Sequence, residues 1–166
     1  MTRILPCVPP LMIFILLLAA CGSALLVPPL TLEPLDRFPT DSIVIETHHK
    51  KFPFRVWIAD TGSRRTQGLM YVRKLDADRG MLFLFHEPTR AAMWMNNMAI
   101  PIDLLFIADD GRVLNVARNA VPGSHRTIQA EGPVTGVIEL PGGTVARLNL
   151  DTGDRVTHRH FKSAAH

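Results

Sequence analysis

Apolar positions between residues 43 and 58 recur with a period of two. Ile43-Val44-Ile45 opens one strand, and Phe54, Val56 and Ile58 alternate with Arg55, Trp57 and Ala59 in a second. Such alternation buries one face of a strand. A polar turn, His48-His49-Lys50-Lys51, separates the two. Asp60-Thr61-Gly62-Ser63 supplies N-cap oxygens for a short helix over 64–70, with Leu69 and Met70 turned inward. Gly80–Phe85 (GMLFLF) is apolar enough for a buried strand, Ala91–Met95 is a further candidate, and Ile102–Ala108 (IDLLFIA) is a strong one. Asp109-Asp110-Gly111 predicts a hairpin turn, since glycine tolerates the positive φ such turns require, and the chain then returns along Arg112–Arg118. Val134–Leu140 (VTGVIEL) is stopped by Pro141-Gly142-Gly143, Thr144–Leu150 predicts a helical turn, and Arg155–Phe161 a last strand. The pattern predicts an α+β, mostly antiparallel β fold: a single compact domain over 42–161, strongly curved or partly closed like a β-barrel, with one or two short helices and a tail over 162–166.

The N-terminus reads as an address. Arg3 is the one charge before the ten-residue apolar run Leu11–Ala20, and a bilayer-spanning helix needs about 20 apolar residues. A positive start, a short apolar centre and small residues define a secretory signal. Leu18-Ala19-Ala20-Cys21 resembles the lipobox of bacterial lipoproteins, in which cleavage before the cysteine leaves its thiol to carry a diacylglycerol. Residues 1–20 are therefore expected to be a lipoprotein signal peptide and Cys21 the lipidation site; the alternative is ordinary secretory cleavage after Gly22-Ser23-Ala24, which discards Cys21. Acyl chains add about 0.8 kcal/mol per buried methylene, enough for stable anchoring when two or more are present. Pro28, Pro29, Pro34 and Pro39 make 21–41 an extended tether. The expected location is the cell envelope, facing the periplasm, on the outer membrane where the envelope is Gram-negative. The expected partners are the membrane itself, through the lipid, and envelope proteins or glycans.

Composition narrows the chemistry. The chain has 166 residues, 18 Lys+Arg against 15 Asp+Glu, and a formal charge of +3 that falls by one when Arg3 leaves with the signal. That surplus is too small for a nucleic-acid partner, which demands a dense basic face. The two cysteines are Cys7, lost with the signal, and Cys21. A processed chain therefore lacks a thiol nucleophile, a redox pair and a cysteine zinc site.

In order along the chain stand Arg65-Thr66-Gln67-Gly68-Leu69-Met70, Gly80-Met81-Leu82-Phe83-Leu84-Phe85, Trp94-Met95-Asn96-Asn97 and Ile100-Pro101-Ile102-Asp103. Asp110-Gly111, Ala120-Val121-Pro122, Val137-Ile138-Glu139-Leu140-Pro141-Gly142-Gly143 and Gly153-Asp154 follow. Together these strings resemble the bacterial and archaeal family called domain of unknown function 192, over residues 43–158. The resemblance implies a compact β-rich fold and an envelope or secreted setting, and it brings no activity with it. The chain departs from the family pattern at Met93, where an aromatic residue is usual, at Asn96, where a basic one is, and at Met98, where threonine is.

Several side chains are candidates for a site. Arg65, Trp94, Asn97 and Asp103 would form a polar patch with an aromatic floor, suited to a small polar ligand or a glycan. Met93, Met95 and Met98 with His86 offer soft ligands for Cu(I), the alternative cofactor reading; the competing role for these methionines is packing. Asp103, flanked by Ile102, Leu104 and Leu105, needs a partner if buried, with Arg65, Arg55 or the Asn97 amide in reach as candidates. Glu139 in VIEL has the same ambiguity, and the two carboxylates together make a hydrolase the third reading. Ser124-His125 is expected to be a plain loop, and His48 and His49 solvated. His158 and His160 would share one face of the last strand, where they could hold a metal. No catalytic residue is assigned, and the balance leans toward a binding domain rather than an enzyme.

Overall fold

The computed structural model describes residues 31–162. The signal run and Cys21 lie outside the described residues. The elements run in the order β1 (Thr40–Glu46), β2 (Lys51–Ala59), α1 (Gly62–Gln67), β3 (Arg79–Thr89), β4 (Ala92–Met93), β5 (Ile102–Ile107), β6 (Val113–Ala120), β7 (Ile128–Gln129), β8 (Val134–Pro141), α2 (Thr144–Leu148) and β9 (Arg155–Thr157). Seven strands form one sheet in the order β6-β5-β8-β3-β2-β1-β9, and β4 pairs with β7 in a small ribbon. All neighbours are antiparallel except β2 and β3, which are parallel and joined across α1. The sheet curls strongly into a half-barrel. Its two edge strands meet through backbone bonds, with Val113 N–H donating to Asp154 O at 2.8 Å and Val156 N–H to Gly111 O at 2.7 Å.

Two apolar layers follow from the period of two. Ile43, Ile45, Phe54, Val56, Leu105 and Ile138 line one face, closed by Val145 of α2, Leu150 and Phe161. Met81, Phe83, Leu104, Phe106 and Val137 line the other, covered by Leu69 and by Ala91, Met95 and Met98. β5 is buried along its whole length because both of its faces are covered. That explains why IDLLFIA is apolar at every position but Asp103.

Local chemistry sets the element ends. Thr61 caps α1, its Oγ1 accepting from the Arg64 N–H at 3.3 Å. The helix expected to reach Met70 stops at Gln67, because Gly68 takes φ +51°, a left-handed conformation costly to residues with a Cβ. The hairpin at 109–111 forms as expected, with Asp110 Oδ1 accepting from the Arg112 N–H. Gly143 before α2 has no capping side chain; Asp103 on β5 supplies one instead, Oδ2 accepting from the Val145 N–H at 2.7 Å.

Two boundaries differ from the expectation. The compact unit begins at Leu32 rather than 42. Arg64 donates to both carboxylate oxygens of Glu33, the Gln67 amide exchanges two hydrogen bonds with the Glu33 backbone, and Phe38 is buried beneath Arg64. The last strand ends at Thr157. His158 and His160 then sit in a turn, where the His160 N–H donates to His158 Nδ1 at 3.2 Å and leaves His158 Nε2 facing Asp41 at 3.3 Å. They do not share a strand face.

Candidate functional site

A cavity of about 330 Å³ opens on the outer face of the half-barrel, between α1, β3 and the segment 92–98. Its wall of Phe83 and Phe85 comes from alternate positions of β3, and Met70, Met93 and Met98 fill the sides. Phe85 belongs to the part of β3 that runs past its regular pairing with β8, where the register shifts after Leu84. The segment 92–98 is held in place by backbone bonds: Met95 N–H donates to Ser124 O, and Gly123 N–H to Met95 O at 2.9 Å. Trp94 stands at the rim, 51% exposed.

Arg65 and Glu139 are the charged or titratable residues of the lining. Arg65 Nη1 donates to Asp60 O at 2.7 Å and Leu84 O at 3.0 Å, and its guanidinium carbon lies 5.5 Å from the Phe85 ring centre. Two carbonyls and an aromatic face fix the fork without neutralising it. Among the described residues no carboxylate lies within ion-pair distance of it. Glu139 sits at the floor, 4% exposed, and its Oε2 has no hydrogen-bond partner. Burial pushes its carboxyl up to about 8, and the Leu69 N–H offsets only part of that rise.

The four residues expected to form one patch are divided. Arg65 and Trp94 line the cavity. Asn97 is a left-handed loop residue at φ +59° whose amide reaches the Met70 sulfur at 3.9 Å from outside the lining. Asp103 is elsewhere: it faces the inside of the half-barrel, and its oxygens accept from the Asn119 and Val145 backbone N–H groups at 2.7 Å each. None of its expected partners, Arg65, Arg55 or Asn97, is used. Of the soft-metal set, Met93 and Met98 line the cavity, Met95 is buried in the core, and His86 is exposed on β3 outside the lining. The hydrolase pair is also separated. Asp103 pairs across β5 and β8 with Leu140, and Glu139 with Leu104. Adjacent rows point to opposite faces of a sheet, so the two carboxylates cannot flank one scissile bond. Ser124 Oγ accepts from the Arg126 N–H, as befits a plain loop.

Sequence reasoning weighed Glu139 only as half of that pair and missed its place in this cavity. The available signal was an acid inside VIEL, a run with no local partner for it.

A family profile described as DUF192, uncharacterized ACR, matches residues 43–158. The chain belongs to the DUF192 family. No curated protein matches it. Two solved structures resemble this DUF192 domain. One, from Sinorhizobium meliloti 1021, is described as a candidate transcription regulator; it is 40% identical, with 72% of this chain and 94% of that chain covered and a TM-score of 0.71. The other, from Novosphingobium aromaticivorans DSM 12444, is a protein of unknown function at 34% identity, covering 77% of this chain and 91% of that chain with a TM-score of 0.73. In this DUF192 domain the strings RTQGLM, GMLFLF, WMNN and VIEL each send residues to the one cavity. Met93, Asn96 and Met98 line it as well.

Proposed function

We propose that this protein is a lipid-anchored cell-envelope protein whose DUF192 domain binds a small molecule in the cavity between α1, β3 and the 92–98 segment. One observation carries the binding reading: an apolar cavity of about 330 Å³ holds a rigidly placed, unneutralised guanidinium, with a half-exposed tryptophan at its rim. Small-molecule sites combine apolar walls with a few fixed polar groups in this way. An apolar wall favours a ligand with a hydrophobic body over a fully polar sugar. The anchoring reading rests on the lipobox-like Leu18-Ala19-Ala20-Cys21.

Each half has its own test. An alkyne fatty acid fed to expressing cells should label the wild type and leave Cys21→Ser unlabelled; an unlabelled wild type sinks the anchor. Binding is read on the full chain in lipid nanodiscs carrying ¹³C-methyl methionine. Small aromatic fragments should shift the methyl signals of Met70, Met93 and Met98, which line the cavity. Unmoved cavity signals would overturn the binding reading.

A further inference from the structure

Glu139 occupies an unusual row of the sheet. Its direct partners are Met81 on β3 and Leu104 on β5, and the next row on the same face is Phe83, Val137 and Phe106. Leu69, just past α1, closes over it. Every neighbour across the sheet is apolar, yet the side chain is an acid with one oxygen unused. Unsatisfied buried oxygens cost free energy and are uncommon in folded proteins. A Cβ at Gly68 would lie 3.6 Å from Glu139 Oε2 and 3.1 Å from Phe83 Cζ, so the glycine packs directly beside the buried carboxyl, which forms part of the cavity lining. The cavity therefore has a cation on its wall at Arg65 and a buried, unpartnered carboxyl oxygen at its floor, with Phe83 and Phe85 in its lining.

We propose that the cavity takes a small amphipathic organic anion, with its carboxylate at Arg65, its apolar body against the aromatic wall, and a ligand oxygen at its far end accepting a hydrogen bond from Glu139. The inference rests on the binding reading above and names its ligand class. A cationic amine paired to Glu139 is the rival occupant, and Arg65 in the same lining repels it. At neutral pH Glu139 keeps its proton, since burial has moved its carboxyl up to about 8, and a protonated carboxyl is a donor. The groups facing it from β3, β5 and the segment after α1 are the uncharged Met81, Leu104 and Leu69; Arg65 on α1 is the remaining charge of the cavity.

The test uses the same methionine-methyl readout with three matched probes: 4-hydroxyphenylacetate, its amine analogue tyramine, and phenylacetate, which lacks the distal oxygen. The hydroxy acid should bind at least tenfold tighter than tyramine at pH 7 and measurably tighter than phenylacetate. Ionisation of Glu139 removes the donor, so its affinity should fall roughly tenfold between pH 7 and pH 9. Glu139→Gln keeps a donor and cannot ionise; it should bind the hydroxy acid within about threefold of wild type at pH 7 and show no such fall. Tyramine binding as tightly as the acid overturns the ligand class while leaving the binding reading intact. A pH dependence that persists in Glu139→Gln, or is absent from the wild type, overturns the role of Glu139. No cavity shift with any of the three overturns the binding reading and this inference together.

Discussion

Asp103 and Glu139 are both buried acids in neighbouring strands, one row apart across the β5–β8 pair, and they have opposite roles. Asp103 faces the inside of the half-barrel, and each of its oxygens accepts a short bond from a backbone N–H, one at Asn119 in β6 and one at the start of α2. Its hydrogen-bonding capacity goes into holding those elements together. Glu139 faces the outer layer, and its Oε2, buried beside Gly68, has no hydrogen-bond partner. Burial alone therefore does not mark a site. What marks it is capacity left over after the fold has been satisfied, in the lining of a cavity.

The sharpest way to break the contrast is Asp103→Ala. Removing the acceptor orphans two N–H groups, and hydrogen bonds to carboxylates contribute about 1.5–3 kcal/mol each. Urea unfolding should show a loss of about 4 kcal/mol, and a loss below 1 kcal/mol would mean the carboxylate is not the tie described. Glu139→Gln should behave differently, with an effect that depends on pH. The Glu139 carboxyl is raised from an ordinary 4.5 to about 8 in the fold. The folded state thus holds a proton the unfolded chain releases, and that stabilisation is complete below pH 4.5 and lost as pH rises through 8. Relative to Glu139→Gln, the wild type should lose about 3 kcal/mol between pH 5 and pH 8 at about 1.4 kcal/mol per unit. Parallel stability curves for the two proteins would show that the acid is ionised throughout. Trp94→Ala should change stability least, by under about 0.5 kcal/mol, since the side chain is half-exposed. A loss above 2 kcal/mol on urea unfolding would make Trp94 a packing residue rather than a rim.

The curled sheet was legible because its strands carry strong local signals. GMLFLF, IDLLFIA and VTGVIEL fall within or largely over β3, β5 and β8, and the turn at Gly111 sits where its glycine allows φ +81°. The parallel β2–β3 pair was not legible, because parallel pairing depends on a long-range crossover that leaves no mark in either strand. β7 has only two residues, too short for a period to register. At the site, Arg65 and Trp94 share a cavity although 29 positions separate them in the chain. Asp103 and Glu139 could not be told apart, since both are acids amid aliphatic neighbours. Which face each occupies is decided by register, and a one-residue difference in register reverses the face.

The meeting of β9 with β1 and β6 has a consequence for how the molecule is made. Thr157 bonds to Glu46 across 111 positions, so the strand that closes the sheet is the last of its strands to be synthesised. Until Arg155–Thr157 arrives, the outer edge of β1 and the start of β6 both lack their neighbour. Unpaired edges of this kind recruit other strands, and pairings between distant parts of a chain form slowly. The interval between emergence of the first strand and arrival of the last is when this protein is most exposed to aggregation, and chains truncated before Arg155 remain in that state.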